Sequence, residues 1–195
     1  MPTSIRFSLR AAAESEVDWI ADQEARFYSA ADAVPRETLH EWFATNPNIF
    51  NVVSDRAGAR VGHFNLVPIK PDRLAPLIAG TICEADIGGD DIFPAKERNA
   101  VTRLWLESIV IELASPYLRA RALADVFAQA EVALGRVADP AKLQSLYALT
   151  ATVAGETLTT RLGFHKVSSR TQREDGHDVY RVSFADLQRA LAIDT

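Results

Sequence analysis

Apolar and polar positions along the chain change period several times, and each change marks a separate element. Ile5 to Leu9 alternate apolar and polar side chains, the period of a half-buried strand. From Ser15, read as an N-cap with Asp18 at N3, the spacing of Val17, Ile20, Ala21, Phe27 and Tyr28 predicts a helix. Pro35 suits the first turn of a second helix that presents Leu39, Trp42 and Phe43 on one face and stops at Asn46-Pro47. Two β-prone runs around the turn residues Asp55 to Gly58 predict a hairpin. A proline-rich segment with room for a short helix follows, and then an acidic loop from Glu84 to Asn99. The most β-prone segment is 103 to 113, RLWLESIVIEL, whose apolar run Ile109 to Ile111 predicts a central strand buried on both faces. A helix is expected from Ala122 to Gly135 with Leu123, Val126, Phe127, Ala130 and Leu134 inward. The remainder reads as a strand over 143–153, a short helix ending at Gly163, a hairpin turning at Asp175-Gly176 and a helical tail.

Composition narrows the class. A chain of 195 residues, 48% hydrophobic and 24% charged, suits one domain over 1–195 with a full core. No stretch approaches the roughly 20 apolar residues of a membrane span, and MPTSIRFSLR has no apolar run to serve as a secretory signal. A cytoplasmic protein without a membrane partner is therefore expected. The net charge of -5 disfavours broad attraction to nucleic acid and suits small or cationic ligands. Cys83, the single cysteine, is expected to be a buried small apolar residue. The D-x-G-x-D spacing in the acidic loop fails as a calcium loop, because its third position is Gly88 and its sixth, which needs glycine, is Asp91. The histidines at 40, 63, 165 and 177 have no metal spacing.

Two motifs carry more information. Pro116, Arg119, Ala120, Arg121, Ala122, Leu123 and Ala124 follow the most β-prone strand in the register [Q/R]-x-x-G-x-[G/A], with alanine at each glycine position. Farther on, Thr152, Gly155, Leu158, Thr159, Leu162, Gly163 and Phe164 match Asn-x-x-Ala-x-x-Leu-Tyr-x-x-Leu-Gly-Phe, with threonine replacing Asn and Tyr. With these motifs at this separation and in this order of elements, nearly the whole chain resembles the GNAT superfamily, the acetyltransferases related to the Gcn5 histone acetyltransferase. The resemblance implies an α/β fold of the α+β type, with a mixed, mostly antiparallel sheet of six to seven strands flanked by helices. It also implies acetyl-CoA or another acyl-CoA as cofactor, a small-molecule or peptide amine as acceptor, and a homodimer as a common assembly.

Physical chemistry says what such a site needs. A helix mouth across residues 120 to 124 offers unpaired amides and a partial positive charge to a diphosphate, and Arg119 and Arg121 add charge. At Ala122 a helical φ leaves the methyl merely crowding the ligand, whereas a positive φ costs roughly 1 to 2 kcal/mol. An alanine-rich helix start with no ligand fits the same residues. The resemblance implies Val110, Ile111 and Leu113 as lining for the acyl group. Glu107, in an otherwise apolar strand, is the candidate base, although an outward-facing, salt-bridged strand residue fits as well; Glu112 is a second candidate. Thr159 is too weak an acid to replace a phenol, which leaves Tyr147 or Tyr117 to protonate the thiolate, or else solvent or the product ammonium. The acidic segment Glu84 to Asp91 offers attraction for a cationic acceptor. The leading expectation is an N-acetyltransferase acting by direct transfer. A non-catalytic acyl-CoA-binding or regulatory module, suggested by the missing glycines and tyrosine, is the alternative, and an interaction protein without cofactor is a third.

Overall fold

The computed structural model describes residues 6–193. Ile5 of the expected first strand lies outside them, and the strand that forms, β1 (Ser8–Ala11), sits later because its register with β2 (Phe50–Ser54) runs from Ser8 opposite Ser54 to Ala11 opposite Asn51. A 3-10 turn at Glu14–Glu16 precedes α1 (Val17–Phe27), so Ser15 is not its cap; the Glu16 carboxylate accepts the Ala13 N–H at 2.9 Å. Val17, Ile20 and Ala21 are buried as their spacing requires, but Phe27 is 45% exposed and Tyr28 ends the helix. Pro35 immediately precedes α2 (Arg36–Thr45), and Asn46 ends it. The Asp55 carboxylate accepts the N–H groups of Ala57 and Ala59, both at 2.9 Å, and so shapes the turn between β2 and β3 (Arg60–Val67).

α3 (Pro71–Ala79) leads into the acidic segment, which folds as short 3-10 turns. Cys83 lies half-buried there, its thiol directed at Asp86 at 3.2 Å, and is not a core residue. After β4 (Arg103–Ile111) the expected single helix from Ala122 is two helices, α4 (Pro116–Phe127) and α5 (Ala130–Val137). Gly135 lies inside the second. The break follows from Gln129, whose amide donates to the Phe7 carbonyl at 3.0 Å and the Asp125 carbonyl at 2.6 Å while accepting the Leu9 N–H at 3.0 Å, so it pins the junction to β1. β5 (Ser145–Thr150), α6 (Val153–Arg161), β6 (His165–Ser168), β7 (Asp178–Ser183) and α7 (Phe184–Ile193) complete the chain. Gly163 has φ +81, as a helix-ending glycine should. The β6–β7 connection spans 169–177 and is not a tight turn at Asp175-Gly176, because buried Arg173 reaches across to the carbonyls of Leu77 at 2.7 Å and Ile78 at 2.6 Å.

The seven strands form one sheet, β1-β2-β3-β4-β5-β7-β6, in which only β4 and β5 are parallel. The mixed, mostly antiparallel expectation holds. One face is covered by α1, α2 and α3 around Ile20, Trp42, Leu77 and Trp105; the other by α4, α5 and α7 around Ala122, Leu134, Phe164 and Leu187. Among the described residues no helix is long and apolar enough to cross a membrane.

Trp42 ties α2 to the acidic segment: its ring is buried and its Nε1 donates to the Ile87 carbonyl at 2.8 Å. Trp42→Phe strands that buried carbonyl and is expected to lower stability by about 1–3 kcal/mol in urea unfolding.

Candidate active site

β4 and β5 pair only between Arg103–Leu106 and Ser145–Ala148. Beyond that point β4 continues along β3 to Ile111 and β5 continues along β7 to Thr150, so each strand keeps one edge without a strand partner. A cavity of about 290 Å³ fills the gap between those edges. The separation coincides with a β-bulge: Asn65 opposes Ser108 and Leu66 opposes Leu106, which leaves Glu107 as the extra residue. One added residue shifts the alternation of every side chain that follows. Ile109 and Ile111 therefore line the cavity with Leu106, and the expected Val110 is turned away from it.

On the α1 side the cavity wall is acidic. Glu84 and Glu107 both line it, beside Tyr28 and Asp32, and Glu24 lies fully buried behind them. Asn65 Nδ2 is shared among Glu107 Oε2 at 2.9 Å, Ser108 Oγ at 3.0 Å and Glu24 Oε1 at 3.2 Å. Glu84 is held separately, by the indole N–H of Trp105. Burial, and then mutual repulsion, pushes the three carboxyls up to about 8. Burial also lowers His63, whose Nε2 is 3.5 Å from Glu24 Oε1, to about 4 and keeps it neutral. The Tyr28 phenol is driven well above its usual range by burial and by the same three carboxyls. At the lip, Asp32 meets His177 Nε2 at 2.7 Å.

No family model and no curated protein matches the sequence. Solved structures do. The chain is similar to GphF, a GNAT-like decarboxylase in complex with isobutyryl-CoA, at 17% identity over 91% of this chain and 99% of that one, with a TM-score of 0.61. It is also similar to the loading GNATL domain of CurA from Lyngbya majuscula (12% identity, 92% and 98% covered, TM-score 0.59) and to a GNAT-family acetyltransferase from Listeria monocytogenes (14%, 91% and 94%, 0.54). This chain has the GNAT fold. The likeness is one of backbone architecture, so the GNAT motif residues must be judged by where they lie in this chain.

On the α4 side they depart from expectation. Ser115 caps α4, its Oγ accepting the Leu118 N–H at 3.4 Å, and the Arg119 N–H is taken by the Ser115 carbonyl at 3.0 Å. Ala120, Arg121, Ala122, Leu123 and Ala124 therefore sit within the helix, where their amides serve its own hydrogen-bond ladder, not an open mouth. The physical cause is the composition itself: alanine favours a helix over glycine by about 1 kcal/mol per position. No non-glycine residue among those described has positive φ, and the Ala122 methyl is fully buried in the core, away from any ligand. Arg121 pairs with Asp125 at 2.9 Å, and Asp125 also accepts the Phe7 N–H at 3.0 Å. Arg119 borders the cavity, but its guanidinium is bound to the Leu113 carbonyl at 2.7 Å; Leu113 contributes that carbonyl and does not line the cavity. Of the expected residues, Glu107, Ile111, Arg119 and Leu123 do line it.

The Thr159 hydroxyl donates back to the carbonyls of Gly155 at 3.0 Å and Glu156 at 3.1 Å, so it offers no proton to a ligand. Tyr147 packs into the α1-side core with Arg181 5.9 Å from its ring centre and is not a lining residue; Tyr117 is 69% exposed. Glu112 pairs at the surface with Arg26. Glu24 and Tyr28 were missed, and Glu84 was marked only as part of the acidic segment Glu84 to Asp91, of which it alone lines the cavity. A glutamate among the apolar positions of α1 was the available sign for Glu24, whereas only the packing of the acidic segment brings Glu84 in.

Because these carboxyls hold protons that an unfolded glutamate releases near 4.5, their contribution to stability is fullest below that pH and falls as pH rises toward about 8. Glu107→Gln is expected to flatten that fall, measured by urea unfolding at pH 5 and pH 8, by at most roughly 1.4 kcal/mol per pH unit for each proton lost. An equally steep fall in the variant would show that Glu107 does not titrate in this range.

Proposed function

We propose that the protein is an acyl-CoA-dependent N-acyltransferase that uses acetyl-CoA or another acyl-CoA and acylates a small-molecule or peptide amine by direct transfer. The observation that carries this reading is the slot between β4 and β5, bounded by two unpaired strand edges and ending at an acidic wall. Free backbone N–H and C=O groups along an apolar slot suit an extended arm with its own amides, as pantetheine has. When bound, acyl-CoA supplies an acyl group activated as a thioester. Ile109, Ile111, Leu123 and Leu158 exclude water from the slot.

Glu107 is the base in this reading. Carboxyls raised to about 8 are present in both protonation states between pH 7 and 8. An ionised member takes the proton of the incoming ammonium, and a neutral member holds one for the leaving sulfur. No phenol at position 159 is then required, which favours catalysis over a purely binding role. The diphosphate is the weaker part of the fit, since the amides of residues 119 to 124 are engaged within α4. Donor affinity rests on the slot.

Three outcomes test this. Calorimetry with acetyl-CoA should give measurable but weak binding, and Ala120→Gly with Ala122→Gly, which loosens the start of α4, should tighten it about tenfold. The same pair should cost about 1 kcal/mol of stability at exposed Ala120 and more at Ala122, where a buried methyl is also lost. Glu107→Gln should lower kcat on an amine panel by roughly 10²-fold or more and abolish its rise with pH. Absence of heat with every coenzyme A derivative would remove the donor assignment; binding without product would leave the non-catalytic module.

A further inference from the structure

The acidic wall holds more carboxyls than deprotonating one amine requires. Resting on the acyltransferase reading above, we infer that the acceptor is a short aliphatic diamine, whose reacting nitrogen is delivered to Glu107 while its second, unreacting ammonium is held by Glu84.

The division of labour follows from how the carboxyls are held. Glu24 and Glu107 share Asn65 Nδ2 and form one unit across α1, β3 and β4. Glu84 belongs to a different segment and is positioned by Trp105 Nε1. Both Glu84 and Glu107 line the cavity, so a ligand entering it meets two separately anchored carboxyls. Glu24, His63 and Asn65 lie fully buried behind the wall and do not line the cavity, so an entering ammonium directs its three N–H donors at Glu84 and Glu107.

Among the described residues the nearby cations are already engaged; Arg119, which borders the cavity, is held by the Leu113 carbonyl at 2.7 Å. Arg173 acts on Glu84 from the β6–β7 loop, but its guanidinium is already bound to Asp175 and to the carbonyls of Leu77 and Ile78. His63 stays neutral. Tyr28, at the end of α1, is an uncharged phenol, and at the lip His177 is paired with Asp32. Unliganded at neutral pH, the carboxyls are therefore mostly protonated; a dication ionises them and releases protons as it binds. In the transfer the reacting ammonium gives one proton to a carboxylate. Its nitrogen then bonds to the acyl carbon as the carbon–sulfur bond breaks, a neutral carboxyl of the wall protonates the sulfur, and the nitrogen's second proton replaces the one that carboxyl gave up. Amide and thiol leave, with one proton released to solvent and the second ammonium unchanged.

The test titrates the free protein with 1,4-diaminobutane, butylamine and 4-aminobutanoate by calorimetry at pH 6.0 and 7.5, in buffers of differing ionisation heat. The diamine should bind at least about tenfold more tightly than butylamine, more tightly at pH 7.5 than at 6.0, and with proton release; 4-aminobutanoate should bind worst, because its carboxylate meets Glu84. Glu84→Gln should bring the diamine-to-butylamine ratio toward one. Equal affinities for diamine and butylamine, or no heat with any amine, overturn the inference. Acylation assays with acetyl-CoA separate the two claims. Diamine binding without any acylated amine refutes the transferase and keeps the site, whereas equal acylation of butylamine and diamine keeps the transferase and refutes the site.

Discussion

Beyond Leu106, β4 bonds to only one neighbouring strand, and every chemical feature of the molecule depends on that. A central strand with a free edge leaves backbone donors and acceptors facing an apolar gap, where an unsatisfied group costs about 1–3 kcal/mol. Such an arrangement calls for a ligand that completes the ladder. The same departure from regular pairing puts Glu107 at a bulge, frees its side chain from the strand's ordinary alternation and turns Ile109 and Ile111 toward the gap. Access and reactivity thus come from one irregularity in one strand.

The acidic wall is held together against its own electrostatics. Three carboxyls crowded away from water would repel one another if all were ionised, and protonation relieves the repulsion. Trp42 and Trp105 keep the segment carrying Glu84 in place, and Asn65 fixes Glu24 against Glu107, so the cluster cannot relax by swinging outward. Stability given up in this way is the usual companion of a reactive site.

The start of α4 shows a trade of a different kind. Alanine at 120, 122 and 124 extends the helix back to Pro116, and the buried Ala122 methyl strengthens the packing around Val126 and Leu134. Those gains commit to the helix the amides that a glycine loop would present to a phosphate. Arg119 and Arg121 are turned to the protein's own carbonyl and carboxylate groups at the same time. Binding of a coenzyme thereby shifts from its charged end to its extended arm.

Much of this was legible in the residues. Hydrophobic period, prolines and helix-ending glycines determined the order of elements, because these signals act within a few residues of one another, and the mixed sheet was implied by the resemblance to the GNAT superfamily. They also marked Glu107, since a lone carboxylate in an apolar strand is visible in one dimension. What they did not reach were features set by contacts distant along the chain: the start of β1 fixed by β2, the break at Gln129 fixed by β1, and the long β6–β7 loop fixed by Arg173 against α3. The meeting of Glu24, Glu84 and Glu107 belongs to the same group. Their side chains approach because α1, an irregular acidic segment and a bulged strand pack together, and a charge shifts its neighbour's proton affinity through space. Local propensity, acting through bonded neighbours, determined the scaffold; three-dimensional packing alone decided which charges share a dry cavity.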